Sequence, residues 1–240
     1  MSPEPPIASE SLKDQYGTLG CLAILKKRDN SQQVVALSCK HVCNLNETVY
    51  IEDGQTERKA LGRCVYTFPG PISIQNDFAI VEVDPAIEIL LSRKKLIDQA
   101  GIPTKAQVCE ENLELFEGIV HKLGASTQWT TGKVVRSEII GNTQGIIAVK
   151  GMNGDVFGEH GDSGSIVFRK TFRGREQILE IVAMLTYGEY EDRQQRTEEE
   201  SSDDDTKKLI FCSVFKDAFE QLKTTNRNIQ SISFYNEDTT

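Results

Sequence analysis

The stretch GEHGDSGSIVF, residues Gly158 to Phe168, sets Ser163 behind a carboxylate, Asp162, and between two glycines, Gly161 and Gly164, before turning at once into an apolar run. Glycine and aspartate in that density favour a tight turn over a regular element, so the sequence presents a hydroxyl at the mouth of a strand. A serine hydroxyl is a weak nucleophile. It becomes useful when a base within hydrogen-bond reach takes its proton and a third group holds that base in the right tautomer.

The chain of 240 residues offers three histidines, His41, His121 and His160. His41 ends the β-like run VVALSCKH, where a rigid strand end can aim a side chain into a cleft. His160 lies three residues before Ser163 on the same loop and would struggle to point back, so it reads as a polar group at the rim of a substrate cleft. His121 reads as a surface or supporting residue. For the third member, Asp77 opens the apolar run DFAIVEV and should be buried by the strand it starts. A buried carboxylate needs a partner, and an imidazole N–H supplies one. His41, Asp77 and Ser163 are therefore the candidate catalytic residues. The backbone N–H groups of Gly161 and Ser163 are the candidate oxyanion hole, with Gly161 letting both turn inward.

Short runs rich in Val, Ile and Phe recur along the chain, among them GCLAILKK, QVVALSC, ETVYIED, ALGRCVYTF, DFAIVEV, FEGIVHKLG, GKVVRSEII, GIIAVKG, SGSIVFRK, ILEIVAMLTYG and LIFCSVF. Gly, Asn, Asp or Pro separates them, as in antiparallel sandwiches and barrels, so the fold class is all-β. Between the two groups, PAIEILLSRKKLIDQAGIP has helical spacing and ends in breakers, which suits a linker. A last helical pattern, VFKDAFEQLKT, places Phe215, Phe219 and Leu222 on one face and predicts a C-terminal helix docked on the second half.

These motifs resemble those of the chymotrypsin-like (trypsin-fold) serine peptidases. GDSGS at 161–165 is similar to the nucleophile motif, with Ser165 where a third glycine is usual; LSCKHV is similar to the histidine motif and NDFAIV to the aspartate motif. IVAMLTYG at 181–188 looks like the strand lining the substrate cleft, and KLGASTQWTTGKVV is similar to the start of the second barrel in intracellular members. The resemblance implies two six-stranded antiparallel β-barrels with the cleft between them. It implies a flexible segment over 1–16, a first barrel and linker over 17–110, a second barrel with the helix over 111–223, and a tail over 224–240. It also implies substrate contacts at Thr186, Tyr187 and Gly188, and at Phe157, six residues before the nucleophile, where the absence of an acid points to an apolar or small residue before the scissile bond. The chain departs from secreted members in lacking their activation sequence, so Asp162, which in those enzymes pairs with a new N-terminal ammonium, must find another partner.

Charge and cysteine usage bound the rest. The net charge is −9, and residues 189–206 hold nine acidic residues against two arginines, so the body is nearly neutral. That argues against nucleic acid and leaves a solvated acidic loop at the cleft rim. The first residues show no basic and apolar leader, and no run approaches a membrane span, which places the protein in the cytoplasm with a protein or peptide substrate and room for a regulatory partner. The six cysteines form no paired framework and read as buried free thiols. Cys39, His41 and Cys43 alternate, but no second Cys or His pair accompanies them, so neither a metal nor another cofactor is expected. Two functions are consistent with these residues: a serine endopeptidase, or a pseudo-peptidase that keeps the cleft as a binding module.

Overall fold

The computed structural model describes residues 5–12, 16–52, 58–70, 72–73, 77–87, 105–111, 118–140, 144–188 and 209–235. The acidic run 189–206 and most of the expected linker helix lie outside the described residues; of the linker, residues 85–87 form a helical turn.

Each apolar run becomes a strand. The first half contains β3 (Cys21–Lys27), β4 (Gln32–Ser38), β5 (Thr48–Glu52), β6 (Arg58–Thr67) and β7 (Ala79–Val83). The second contains β9 (Ile119–Gly124), β10 (Gln128–Ile140), β11 (Gln144–Gly151), β12 (Ile166–Arg173), β13 (Glu176–Gly188) and β14 (Leu209–Val214). Four short strands escape the sequence pattern: β1 (Pro6–Ser9), β2 (Gly17–Thr18), β8 (Lys105–Val108) and β15 (Ile229–Phe234).

The second half is a closed six-stranded barrel in the order β12-β9-β10-β11-β14-β13, sealed by the β12–β13 pairing, with β8 added parallel to β13. The first half is an open, half-barrel sheet of eight strands, β15-β3-β4-β7-β6-β5-β1-β2, where the resemblance implies a closed barrel of six. One edge is taken by β15, which pairs with β3, and the other by the β1–β2 pair. Both ends of the described chain are thus structural. The segment expected to be flexible buries Ile7 and Ala8, and residues expected in a tail bury Ile229 and Phe234.

The helix α1 (Phe215–Thr225) buries Phe215, Ala218, Phe219 and Leu222, the i, i+3, i+4, i+7 stripe of an amphipathic helix. It docks on both halves rather than on the second alone. Phe78 of the first half meets Phe215 and Phe219 edge-on, with centroids 6.2 and 6.3 Å apart, and Phe234 of β15 stacks on Phe219 at 6.1 Å. On the other side, Asp217 accepts the N–H of Gly145 in β11 at 2.6 Å. One apolar core therefore runs from the first sheet through the helix to Leu179, Ile181 and Met184 of β13.

Truncating Phe219 to alanine should open a cavity in this shared core and cost about 3–5 kcal/mol. Denaturant unfolding should show a lowered midpoint with an unchanged slope. A loss below about 1 kcal/mol would mean the helix does not clamp the two halves.

Candidate active site

His41 follows the end of β4 in a turn where the N–H groups of Val42 and Cys43 return to the carbonyl of Cys39 at 3.2 and 3.1 Å. Asp77 stands just before β7 and is 3% exposed. Its carboxylate grips His41 twice: Oδ1 accepts the backbone N–H at 2.9 Å and Oδ2 accepts from Nδ1 at 2.6 Å. A carboxylate can only accept, so the proton of a neutral His41 sits on Nδ1 and leaves a lone pair on Nε2.

Cys39, His41 and Asp77 bring potential ligand atoms within 4.8 Å of one another. The set does not fit a metal. The Asp77 carboxylate is spent on His41, and the Cys39 thiol donates to the carbonyl of Leu185 at 3.3 Å. Burial, and next the Asp77 charge, pushes that thiol well above its ordinary value.

Ser163 lies on the loop from β11 to β12. Gly161 and Gly164 flank it at φ +93° and +95°, and a side chain at either would collide with its surroundings: at 161 with Ser126 Oγ and the Tyr16 ring, at 164 with Ser38 Oγ and the carbonyl of Thr18. The loop's carbonyls are tied down. Thr18 donates its N–H to Ser163 O at 2.7 Å and its hydroxyl to Gly161 O at 2.9 Å. Ser165 N–H reaches Asp162 O at 2.9 Å, and Gly164 N–H reaches Leu185 O at 2.8 Å. Among the described residues, the N–H groups of Gly161 and Ser163 have no acceptor, and the Ser163 hydroxyl makes no hydrogen bond, to His41 or to any other group.

Asp162 is fully buried and has found its partner. Lys122 of β9, itself 0% exposed, lies 3.1 Å from Oδ2. Oδ2 also accepts from Thr127 Oγ1 at 2.6 Å and Glu159 N–H at 3.0 Å, while Oδ1 accepts the N–H groups of Ser126 and Thr127 at 3.0 and 3.1 Å. The segment KLGAST stands out in the sequence, but Lys122 within it does not: in a strand of otherwise ordinary pattern, one lysine reads as solvent-facing.

The remaining expected contacts divide. His160 is exposed, edge-on to Tyr16 at 5.7 Å, and its carbonyl accepts from Ser126 Oγ at 2.6 Å. Tyr16, 43% exposed, carries no sequence signal that would place it there. Thr186 is buried in β13, its hydroxyl 3.4 Å from Phe211 O, and Tyr187 and Gly188 continue that strand opposite Phe211 and Ile210. Phe157 corrects the expectation that it faces substrate. It is 0% exposed and packs inside the second barrel with Val134, Val149 and Ile210, because its carbonyl is fixed by Thr130 Oγ1 at 2.7 Å and the ring fits the space over Gly132. His121 lies away from the site, half-buried against Trp129 and bonded to Thr131 Oγ1 at 3.0 Å; burial, and then Lys170, lowers its pKa.

Burial pushes the Asp162 carboxyl up, but the Lys122 charge, the Thr127 hydroxyl and the N–H groups of Glu159 and Thr127 outweigh it and hold the carboxyl below its ordinary value. The unfolded chain therefore takes up this proton at higher pH than the folded one. The stabilisation is whole above the ordinary carboxylate value and is lost as pH falls through the lower folded value. Asp162→Asn should flatten the decline of stability below about pH 4, measured by denaturant unfolding across pH. A decline as steep as in the wild type would show that another group causes it.

No protein-family model matches the sequence, and no curated protein matches it. Solved structures do. A glutamic acid specific serine protease, described as using a novel histidine triad in substrate binding, superposes with a TM-score of 0.53 at 13% identity, over 96% of this chain and 97% of its own. Thermobifida fusca protease A gives 0.50 at 13% identity with the same coverage, and Cellulomonas bogoriensis chymotrypsin gives 0.50 at 14% identity over 96% and 97%. At such identities the likeness speaks for the arrangement of the chain alone. The chain has the fold of the chymotrypsin-like serine proteases.

Proposed function

We propose that the chain is a serine endopeptidase working through an acyl-enzyme. One observation supports this most: the doubly held His41–Asp77 pair accompanies a loop whose Ser163 hydroxyl and Gly161 and Ser163 N–H groups have no partner among the described residues. In the first step His41 Nε2 takes the Ser163 proton as Oγ bonds to the substrate carbonyl carbon. The Gly161 and Ser163 N–H groups receive the charge that builds on the carbonyl oxygen. His41 then passes its proton to the leaving nitrogen as the C–N bond breaks, and water repeats the sequence to free the acid. Asp77 keeps Nδ1 protonated and balances the imidazolium.

Six buried cysteines, none in a disulfide, support a reducing compartment, and we place the enzyme in the cytoplasm, where it cuts a protein at few sites in signalling or defence and answers to a regulatory partner. The second reading is a silent pseudo-peptidase that binds proteins in the same cleft. The absence of a Ser163–His41 hydrogen bond among the described residues favours it. Such bonds commonly tighten only when substrate is bound, so we retain the first.

A fluorophosphonate probe should label the wild type at Ser163 and leave Ser163→Ala and His41→Ala unlabelled. Asp77→Asn should fold and lose about 10⁴-fold in rate through the wrong histidine tautomer. Equal, poor labelling of wild type and Ser163→Ala would hand the case to the pseudo-peptidase.

A further inference from the structure

We propose that Cys39 is a positioning residue of the candidate site, its buried thiol joining the turn of His41 to β13 and tempering the grip of Asp77 on His41. The inference rests on the peptidase reading and deepens it by adding a residue to the machinery of the same site.

Cys39 directly follows β4, stands two residues before His41 and has no solvent exposure. Its backbone carbonyl opens the turn by accepting the N–H groups of Val42 and Cys43, and its side chain enters the seam between the halves. The thiol donates to Leu185 O at 3.3 Å, the same oxygen that accepts the N–H of Gly164 in the loop of Ser163. The sulfur, a ring nitrogen of His41 and a carboxylate oxygen of Asp77 all lie within 4.8 Å of one another. One sulfur atom therefore borders the histidine and its carboxylate and, through a shared oxygen, reaches the loop of the serine.

Asp77 is short of donors for a carboxylate that is 3% exposed. Two carboxylate oxygens offer about four lone-pair sites. Here the close bonds they accept both come from His41, one N–H on each oxygen. The hydroxyl of Thr186, buried in β13, is turned to Phe211 O at 3.4 Å. The Cys39 thiol is the donor placed to relieve Asp77. It has one hydrogen and turns about its Cβ–Sγ bond, so that hydrogen can face Leu185 O or the carboxylate. Burial, then the Asp77 charge and a hydrogen bond with Asp77, hold the thiol well above its ordinary value, so it stays a neutral donor and adds no second anion beside the carboxylate. With such a donor alongside, the carboxylate shares its charge and draws the Nδ1 hydrogen of His41 less strongly; without it, that charge falls on His41 undivided. A cysteine that only filled core volume would need neither the carbonyl nor the carboxylate beside its sulfur.

The test compares Cys39→Ala and Cys39→Ser with the full-length wild type. Three readouts are taken: the rate of fluorophosphonate labelling at Ser163, the proton NMR signal of the His41 Nδ1–H, and the unfolding midpoint. We expect Cys39→Ala to label about tenfold or more slowly, since a small displacement of a reacting group can cost about 100-fold. Its Nδ1–H signal should move downfield as Asp77 tightens on His41. Cys39→Ser places a stronger donor at the same point, so it should recover most of the labelling and bring the Nδ1–H signal back to the wild-type position or upfield of it. A cysteine needed for packing alone would lower the midpoint in both variants and leave the Nδ1–H signal where it was. An unmoved signal in Cys39→Ala, or labelling of Cys39→Ser no faster than that of Cys39→Ala, overturns the proposal. If Cys39→Ala does not fold, Cys39→Ser decides: a signal upfield of the wild type supports the role, and one unmoved or downfield overturns it. If the wild type does not label, the peptidase reading falls by itself, and the Nδ1–H signal alone decides whether Cys39 tempers the His41–Asp77 pair.

Discussion

One carbonyl oxygen holds the working parts together. Leu185 O in β13 accepts the N–H of Gly164 at 2.8 Å and the thiol of Cys39 at 3.3 Å, so a single atom of the second half is bonded both to the loop of Ser163 and to the turn that carries His41. Leu185 returns its own N–H to Ser165 O at 2.9 Å, which fixes the start of β12. Around this node Thr18 ties the first half to Ser163 O and Gly161 O, and Ser38 Oγ ties β4 to Thr18 O at 3.0 Å. The candidate site is therefore not a cleft between two bodies that happen to touch. It is a seam of short polar contacts, and the shared apolar core beneath keeps it closed.

The same seam explains which residues the sequence reveals. His41, Asp77 and Ser163 are legible because each sits at a strand end with a local reason to be there: a turn, a need for a buried partner, a pair of glycines. Strand positions are legible wherever apolar residues run together, as in VVALS or AIVEV. Residues that act across the seam leave no local mark. Thr18 lies in a strand of two residues, too short for any period to show. Lys122 alternates correctly for a strand and differs from an exposed lysine only through Asp162, a partner on a distant loop. In β15 the register shifts between Ile229 and Ser231, and the bulge breaks the alternation that would have marked a strand. Phe157 is misplaced by counting back from Ser163, since counting gives a position and not the side of the chain to which a ring turns.

Polar groups near the site are balanced in pairs. Asp77 has His41, and Asp162 has Lys122. Burial makes each pair costly to break, because removing one partner strands the other without water. Among the described residues the two loop N–H groups have no acceptor, which is the complementary choice under the proposed peptidase reading: a donor without an acceptor is available when negative charge develops on a bound carbonyl.

The pairing of β15 with β3 bears on how the molecule is made. Ile232 lies opposite Leu25 and Phe234 opposite Ala23, so the edge of the first sheet is filled by a strand that leaves the ribosome after every other described element. Phe78, beside Asp77, gains its aromatic neighbours Phe215 and Phe219 only at the same late stage. A growing chain can assemble the second barrel while its first sheet still lacks a border and a lid over its core. Contacts this distant in sequence are slow to close. During synthesis, then, the sheet that carries His41 and Asp77 stays unbordered, and Phe78 without these aromatic neighbours, until the helix and the strand ending at Phe234 have emerged.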